Sequence, residues 1–327
     1  MREPAFIKQN ADRWKRFEAL MKDNKQHKTT PDEKADLFVQ LTDDLSYAKT
    51  FYPKSRITAY LNGLTANVHR AIYQNKREDT NRFWQFWAYE LPEIMYQCRK
   101  QLLYSLLITL ISVSLGVLSS RYDNTFANLI LGDGYVNMTT ENIERGDPMG
   151  VYKDADSGAM FLAITFNNIR VSFLAFVGGV FFSIGTAYLL FYNGVMLGVF
   201  QYFFYERGLF LTSFLTIWIH GTLEISAIII AGCAGLVMGN SILFPGTYSR
   251  TDSFLRGARK GLKIAVGLVP IFITAGFLES YVTRHTEMDI ISKASIIAIS
   301  ALFIITYFVA YPMVLHRQKI TTNTPNT

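Results

Sequence analysis

Cysteine is almost missing from this chain. Two residues, Cys98 and Cys233, stand far apart in 327, which leaves no disulfide framework and no thiolate pattern of metal-ligand spacing. No phosphate-cradling glycine loop and no serine-nucleophile motif appears, so an ATPase, if one is involved, has to be a separate chain. The opening Met1-Arg-Glu-Pro-Ala-Phe-Ile-Lys-Gln-Asn-Ala-Asp12 is too charged for a secretory signal, and no small-residue cleavage site follows. The first span is therefore expected to act as an uncleaved anchor. The net charge of +6 invites a nucleic-acid reading. That reading fails, because the basic residues cluster beside apolar runs, where the positive-inside rule already accounts for them. No cofactor and no metal is expected.

Apolar residues are abundant, half of the chain, but unevenly spread. Residues 1–100 are polar and charged, whereas 101–316 carry nearly all the long apolar runs. This split reads as an all-α protein: a polytopic membrane bundle of about six spans with an N-terminal cytosolic helical domain. The block Leu209 to Phe244 sets the problem for any topology. Its 36 residues exceed the roughly 20 that cross a bilayer, and His220-Gly-Thr-Leu-Glu224 interrupts it. A turn or break is expected there, at Gly221.

Three amphipathic helices are expected over residues 1–80. The first uses Phe6, Trp14, Phe17 and Met21; the second runs through Leu37, Val39, Leu41 and Leu45 until Pro53; the third passes Ile57, Tyr60, Leu61, Leu64 and Ile72. Thr30-Pro-Asp-Glu33 is a capping-box start for the second. So small a bundle is expected to need the membrane domain or a partner to complete its core. Residues 74–80 form a charged linker. Residues 81–100 crowd Trp, Tyr and Phe without reaching spanning length, as expected of an amphipathic aromatic helix along the interface, or alternatively a core helix of the soluble bundle.

Flanking charge fixes the crossings. Arg99 and Lys100 mark the inner end of a first span, 102–118. Loop 120–167 holds Arg121, Arg145 and Lys153 against seven acids, the mark of the outer side. Arg250, Arg256, Arg259, Lys260 and Lys263 face only Asp252, so their loop is inside, and the basic tail 317–327 is inside too. The remaining runs are 171–191, 195–220, 225–244, 264–281 and 294–315. Both termini inside demand an even number of crossings, and three crossings between Arg170 and Arg250 give six in all. Glu206-Arg207 would then lie near mid-membrane on a straight third span, so a broken helix is expected there. Asn193-Gly194 reads as another helix break.

The motifs, taken together, have a recognisable order. Phe166-Asn-Asn-Ile-Arg170 leads into Phe176-Val-Gly-Gly179, followed by Gly185 to Gly198. His220-Gly-Thr-Leu-Glu224, Ala231-Gly-Cys-Ala-Gly235, Arg250-Thr-Asp-Ser-Phe254 and Ala275-Gly-Phe-Leu-Glu279 come next. This series resembles the stage II sporulation protein M family of integral membrane proteins. The opening Met1 to Ile7 resembles members with an extra N-terminal helical domain. The resemblance implies a non-enzymatic scaffold or assembly factor of the bacterial cytoplasmic (inner) membrane, multi-pass with both termini cytoplasmic. The sporulation member gathers cell-wall-degrading enzymes during engulfment. The N-terminal domain and the large outer loop depart from that member.

Six residues form a candidate intramembrane polar cluster: His220, Glu224, Arg170, Glu279, Asn167 and Asn168. His220 and Glu224, spaced i, i+4, share a helix face and can make a charge-assisted hydrogen bond. Three readings stay open for the pair: a structural tie between spans, a proton- or ligand-sensing site, and acid–base catalysis as in an intramembrane hydrolase. Arg170 is expected to snorkel or to pair with Glu224 or Glu279, and Asn167 and Asn168 to cap the second span. Gly178, Gly179 and Gly185 on that span, with Gly232, Gly235 and Gly239 on the fourth, permit close helix packing. Gly235-x-x-x-Gly239 also matches a dimerisation spacing, so a homodimer is one expected partnership. Lipid and envelope or cytosolic proteins are the others. An aromatic interfacial helix before six spans also resembles the membrane subunits of ATP-driven exporters, which makes a transporter or flippase subunit the alternative.

Overall fold

The structure is a computed structural model that describes residues 1–22, 31–73, 82–152 and 156–323. Thr30, the linker 74–80, Asp154 and the side chains of Met21, Leu37 and Ile72 lie outside the described residues. Among the described residues every regular element is helical. The chain divides into two units, Met1–Arg82 and Phe83–Thr327.

In the first unit, α1 (Glu3–Lys22), α2 (Pro31–Phe51) and α3 (Arg56–Tyr73) each bury one stripe. Phe6, Trp14 and Phe17 from α1 meet Leu41, Leu45 and Ala48 from α2 and Ile57, Leu61 and Leu64 from α3. The spacing, i, i+4, i+7 in α2 and α3 and i, i+8, i+11 in α1, is that of one helical face. Val39 falls off the stripe and is exposed. Asp44 anchors the interior by accepting the Trp14 indole N–H at 2.8 Å while pairing with Arg13 at 2.6 Å.

A bent helix over residues 82–97 (α4) starts at the unit boundary and leads into the second unit. It buries Leu91, Pro92, Ile94 and Met95 and leaves Phe83, Trp84 and Tyr89 exposed. Among the described residues six helices are long and apolar enough to cross a membrane: α5 (Arg99–Tyr122), α8 (Ser157–Val180), α9 (Ile184–Glu206), α10 (Phe210–Leu243), α11 (Arg250–Thr283) and α12 (Ile290–Gln318). Between α5 and α8, short helices α6 (Phe126–Leu131) and α7 (Asp133–Glu144) fold onto the ends of α9 and α10. Val136 and Met149 are buried there beside Phe203, Phe204 and Ile217. The segment expected as loop 120–167 thus folds as a cap over 123–152, and its last residues belong to α8. Tyr307 and Tyr311 of α12 donate to the Trp87 and Ala88 carbonyls, and Lys263 of α11 pairs with Glu90, which ties α4 to the last two spans.

Helix α10 is the axis of the bundle, packed against all five other spans. It has 34 residues and runs unbroken. Gly221 therefore does not break the helix; in a dry bundle, backbone bonds that stay satisfied outweigh a glycine's weak helix preference. Asn193 and Gly194 likewise sit inside α9. The Asn193 amide donates to Leu189 O one turn back, and Gly194 gives room to Ser112 and the Thr109 carbonyl of α5.

The real turns lie elsewhere. One is at 181–183, where Phe182 and Ser183 take positive φ values of 51° and 70°. That left-handed geometry is unfavourable for non-glycine residues. It is held by backbone contact between Gly178 and Gly185, where a Cβ on Gly178 would meet Gly185 C at 2.8 Å. Gly185 is thus on the third span, not the second. The other turn centres on Gly208, φ +72°, and places Glu206 and Arg207 at a helix end rather than mid-span. The basic stretch from Arg250 is not a loop but the start of α11, capped by Ser249 Oγ accepting from Asp252 N at 3.1 Å. Pro270 explains the irregularity of α11 near Leu268, since it cannot donate to the helix ladder.

Small residues set the spacing. A Cβ on Gly179 would fall on the Gly235 carbonyl oxygen, one on Gly235 would meet the Ala175 carbonyl and Thr186, and one on Gly239 would meet Ser183. Gly232 is filled by Ser105 and Leu190. The Gly235-x-x-x-Gly239 pattern thus packs against α8 and α9 of the same chain.

Candidate functional site

His220 lies ten residues into α10 and Glu224 four further on, about 15 Å and 21 Å along the axis. Both point to one side, as i, i+4 spacing requires. Across from them stands the last part of α11, which widens into a π-helical turn over Leu278–Thr283. Such turns recur at functional sites because they re-aim side chains. Here the turn presents Glu279 and Thr283 together, so each helix contributes two side chains four residues apart.

The four interlock. His220 Nδ1 lies 3.0 Å from Thr283 Oγ1, and Thr283 Oγ1 donates to Leu278 O at 3.1 Å. With its own proton committed to that carbonyl, the threonine hydroxyl accepts from the imidazole, which fixes the tautomer as Nδ1–H. The other ring nitrogen, Nε2, faces Glu279 Oε1 at 3.8 Å. Glu224 is oriented from α8 by Asn168, whose amide donates to Oε1 at 2.5 Å. His220, Glu224 and Glu279 bring one ligand atom each within 4.8 Å of one another. The His220 side chain is 5% exposed and that of Glu279 14%.

A cavity of about 550 Å³ reaches this cluster. His220, Gly221 and Glu224 form part of its wall, with Asn167 and Asn168 from α8, Asn193 from α9 and Tyr135 from the cap. One turn earlier on α10, Thr216 receives a long contact from buried Lys293 of α12, Nζ to Oγ1 3.4 Å; the ammonium also donates to Thr286 O at 2.8 Å.

Of the six residues expected to cluster, the structure joins His220, Glu224, Glu279 and Asn168. Asn167 reaches the cavity, but its side chain is otherwise exposed. Neither asparagine caps α8, because the helix begins at Ser157 with Asp156 as its cap, accepting from Ala159 N at 2.8 Å. Arg170 does not join the cluster. It is exposed and makes no ion pair with Glu224 or Glu279 among the described residues. Thr283 and the Thr216–Lys293 contact were missed in the sequence; the i, i+4 relation of Thr283 to Glu279, matching that of His220 to Glu224, was the available signal.

Comparisons with known proteins give two family matches. The model of a domain of unknown function matches residues 4–74, the three-helix unit. The model of stage II sporulation protein M matches residues 105–284, which runs from the first span through the π-helical turn. No curated protein and no solved structure matches the chain. With more than half of its length covered, and with every residue of the His220 cluster inside the match, the chain belongs to the stage II sporulation protein M family and is a multi-pass membrane protein.

Proposed function

We propose that this protein is a scaffold or assembly factor for bacterial envelope processes, seated in the cytoplasmic membrane with both termini on the cytoplasmic side. One observation carries the reading. Arg170 is exposed on α8, about 20 Å from the start of the helix and about 15 Å from its end. A charge at that depth is unfavourable against lipid, and mid-span is too far from either end for its stem to snorkel. Phe166, 67% exposed, and Leu174, 46% exposed, continue the same face. A membrane segment of a second protein carrying a carboxylate would satisfy the guanidinium there. The three-helix unit and the 123–152 cap add folded surfaces beyond the spans, as a scaffold requires.

Photo-crosslinking from positions 166 and 174 in intact cells tests this. A discrete protein adduct is expected, lost in Arg170→Leu and kept in Arg170→Lys, with unchanged thermal stability in detergent. Adducts with lipid alone, or a protein adduct indifferent to Arg170→Leu, would refute it. The cavity favours a second reading, a transporter subunit working with a separate ATPase. Its test is purification in mild detergent: a co-purifying ATPase, with flux that His220→Ala abolishes, would support it, and recovery of the protein without an ATPase would count against it.

A further inference from the structure

We propose that His220, Glu224 and Glu279 form a binding site for one divalent transition-metal cation. The inference does not depend on which reading of the whole protein holds. Its basis is that an imidazole and two carboxylates from two helices converge, one ligand atom of each lying within 4.8 Å of the others. The Thr283 hydroxyl holds the His220 proton on Nδ1 and so turns the lone pair of Nε2 toward the Glu279 carboxylate, 3.8 Å away. Asn168 pins the second carboxylate from the opposite side. A buried group of donors of this kind is stable around a positive charge.

The dimensions fit. Three atoms within 4.8 Å of one another lie at most about 2.8 Å from a common centre. Inward movement of at most about 0.6–0.8 Å by each closes bonds of about 2.0–2.2 Å, the range for imidazole and carboxylate on Zn²⁺. One nitrogen and two carboxylate oxygens suit a first-row divalent ion rather than Mg²⁺ or Ca²⁺, which take oxygen alone. Three protein ligands leave a coordination position free, and the cavity reaches two of the three ligands, giving an entry path and room for water or a ligand on the metal. Thr283 and Asn168 play the part that outer partners play at metal sites, fixing ring tautomer and carboxylate rotamer.

The test uses the full-length chain in detergent, purified without a histidine tag, stripped with EDTA and titrated with ZnCl₂, MnCl₂ or CoCl₂. One ion per chain and a rise in melting temperature are expected, with Co²⁺ giving visible ligand-field bands. Glu279→Gln and His220→Ala should lose the ion and the bands. Asn168→Ala keeps all three ligands, and its affinity should fall about 10–100-fold; with the wild-type Co²⁺ spectrum, it carries the test if either ligand variant fails to fold. No stoichiometric binding of any of the three ions to the stripped wild type overturns the proposal. So does a Co²⁺ spectrum unchanged in a folded His220→Ala, which would place the ion elsewhere.

Discussion

Replacing Gly179 by alanine is the sharpest probe of how the bundle is held together. Its backbone is compatible with alanine, since Gly179 is not among the positive-φ residues. Reduced freedom of the unfolded chain alone would then stabilise the protein by about 0.4–1 kcal/mol. Packing acts the other way. The added Cβ would fall on the Gly235 carbonyl oxygen, with Gly235 C at 2.8 Å and Cα at 3.0 Å. All three are backbone atoms of α10, which no rotamer change can move, so the helices must part. Overpacking costs about 1–3 kcal/mol, and a rigid backbone obstacle belongs at the upper end. The net expectation is a loss of about 2 kcal/mol. For a unit of this size that is a fall of about 4–8 °C in melting temperature. The assay is thermal unfolding of the full chain in detergent, followed by tryptophan fluorescence. Gly134→Ala in α7 is the control: nothing lies within 4 Å of its Cβ, so it should match wild type or gain slightly. If Gly179→Ala unfolds no earlier than Gly134→Ala, the seam between α8 and α10 is not what sets the spacing.

Three further outcomes are expected. Asp44→Ala strands the buried Trp14 indole N–H and should destabilise the three-helix unit by about 1–3 kcal/mol, read as faster amide exchange across α1 and α2; Asp44→Asn should lose less, since it can still accept from Trp14. The Asp289 carboxyl, capping α12, is held below its ordinary 3.8 by hydrogen bonds from the Ser292 side chain and backbone. Its folded value is the lower one, so its contribution is present above about pH 4 and fades as pH falls through the folded value. Exchange at the first turn of α12 should rise in that window, and Asp289→Asn should abolish the dependence. Cys98 and Cys233 are both buried, so an impermeant maleimide should label intact cells only at introduced thiols. Leu129→Cys is expected to label and Arg256→Cys to wait for permeabilisation; the reverse pattern would invert the proposed orientation.

The number of spans was legible because charge parity at the flanks constrains it whatever the helices do between. Their boundaries were not. The turn at 181–183 is made of Phe181, Phe182 and Ser183, with one small polar residue and no Pro, Gly, Asn or Asp to mark a loop, and hydropathy runs straight through it. Its glycines therefore read as packing on one span, when Gly178 and Gly185 close the hairpin between two. The His220–Glu224 face was readable from spacing alone, and so was Glu279 as a candidate. Arg170 was placed with them for its charge. Geometry argued otherwise, because Asn168 and Arg170 are two residues apart and cannot face the same neighbour on one helix. Thr283 had only its i, i+4 spacing from Glu279 to mark it, because a threonine in an apolar helix is unremarkable until the hydroxyl acquires a specific partner.

Helix α10 touches every other span, yet it is the fourth of six to leave the ribosome. A chain grown only to Leu209 has made α5, α8 and α9 but not the surface they close upon. At that stage Asn168 lacks Glu224, the Gly179 edge of α8 has nothing against it, and Ser105 lacks the Ile229 carbonyl that its hydroxyl reaches in the finished protein. Half-built, the protein holds polar groups against lipid for as long as translation takes to supply 34 more residues. Synthesis thus has a vulnerable interval set by chain order rather than by final stability. A substitution on α10 can remove the protein from the cell before it ever has the chance to impair its work.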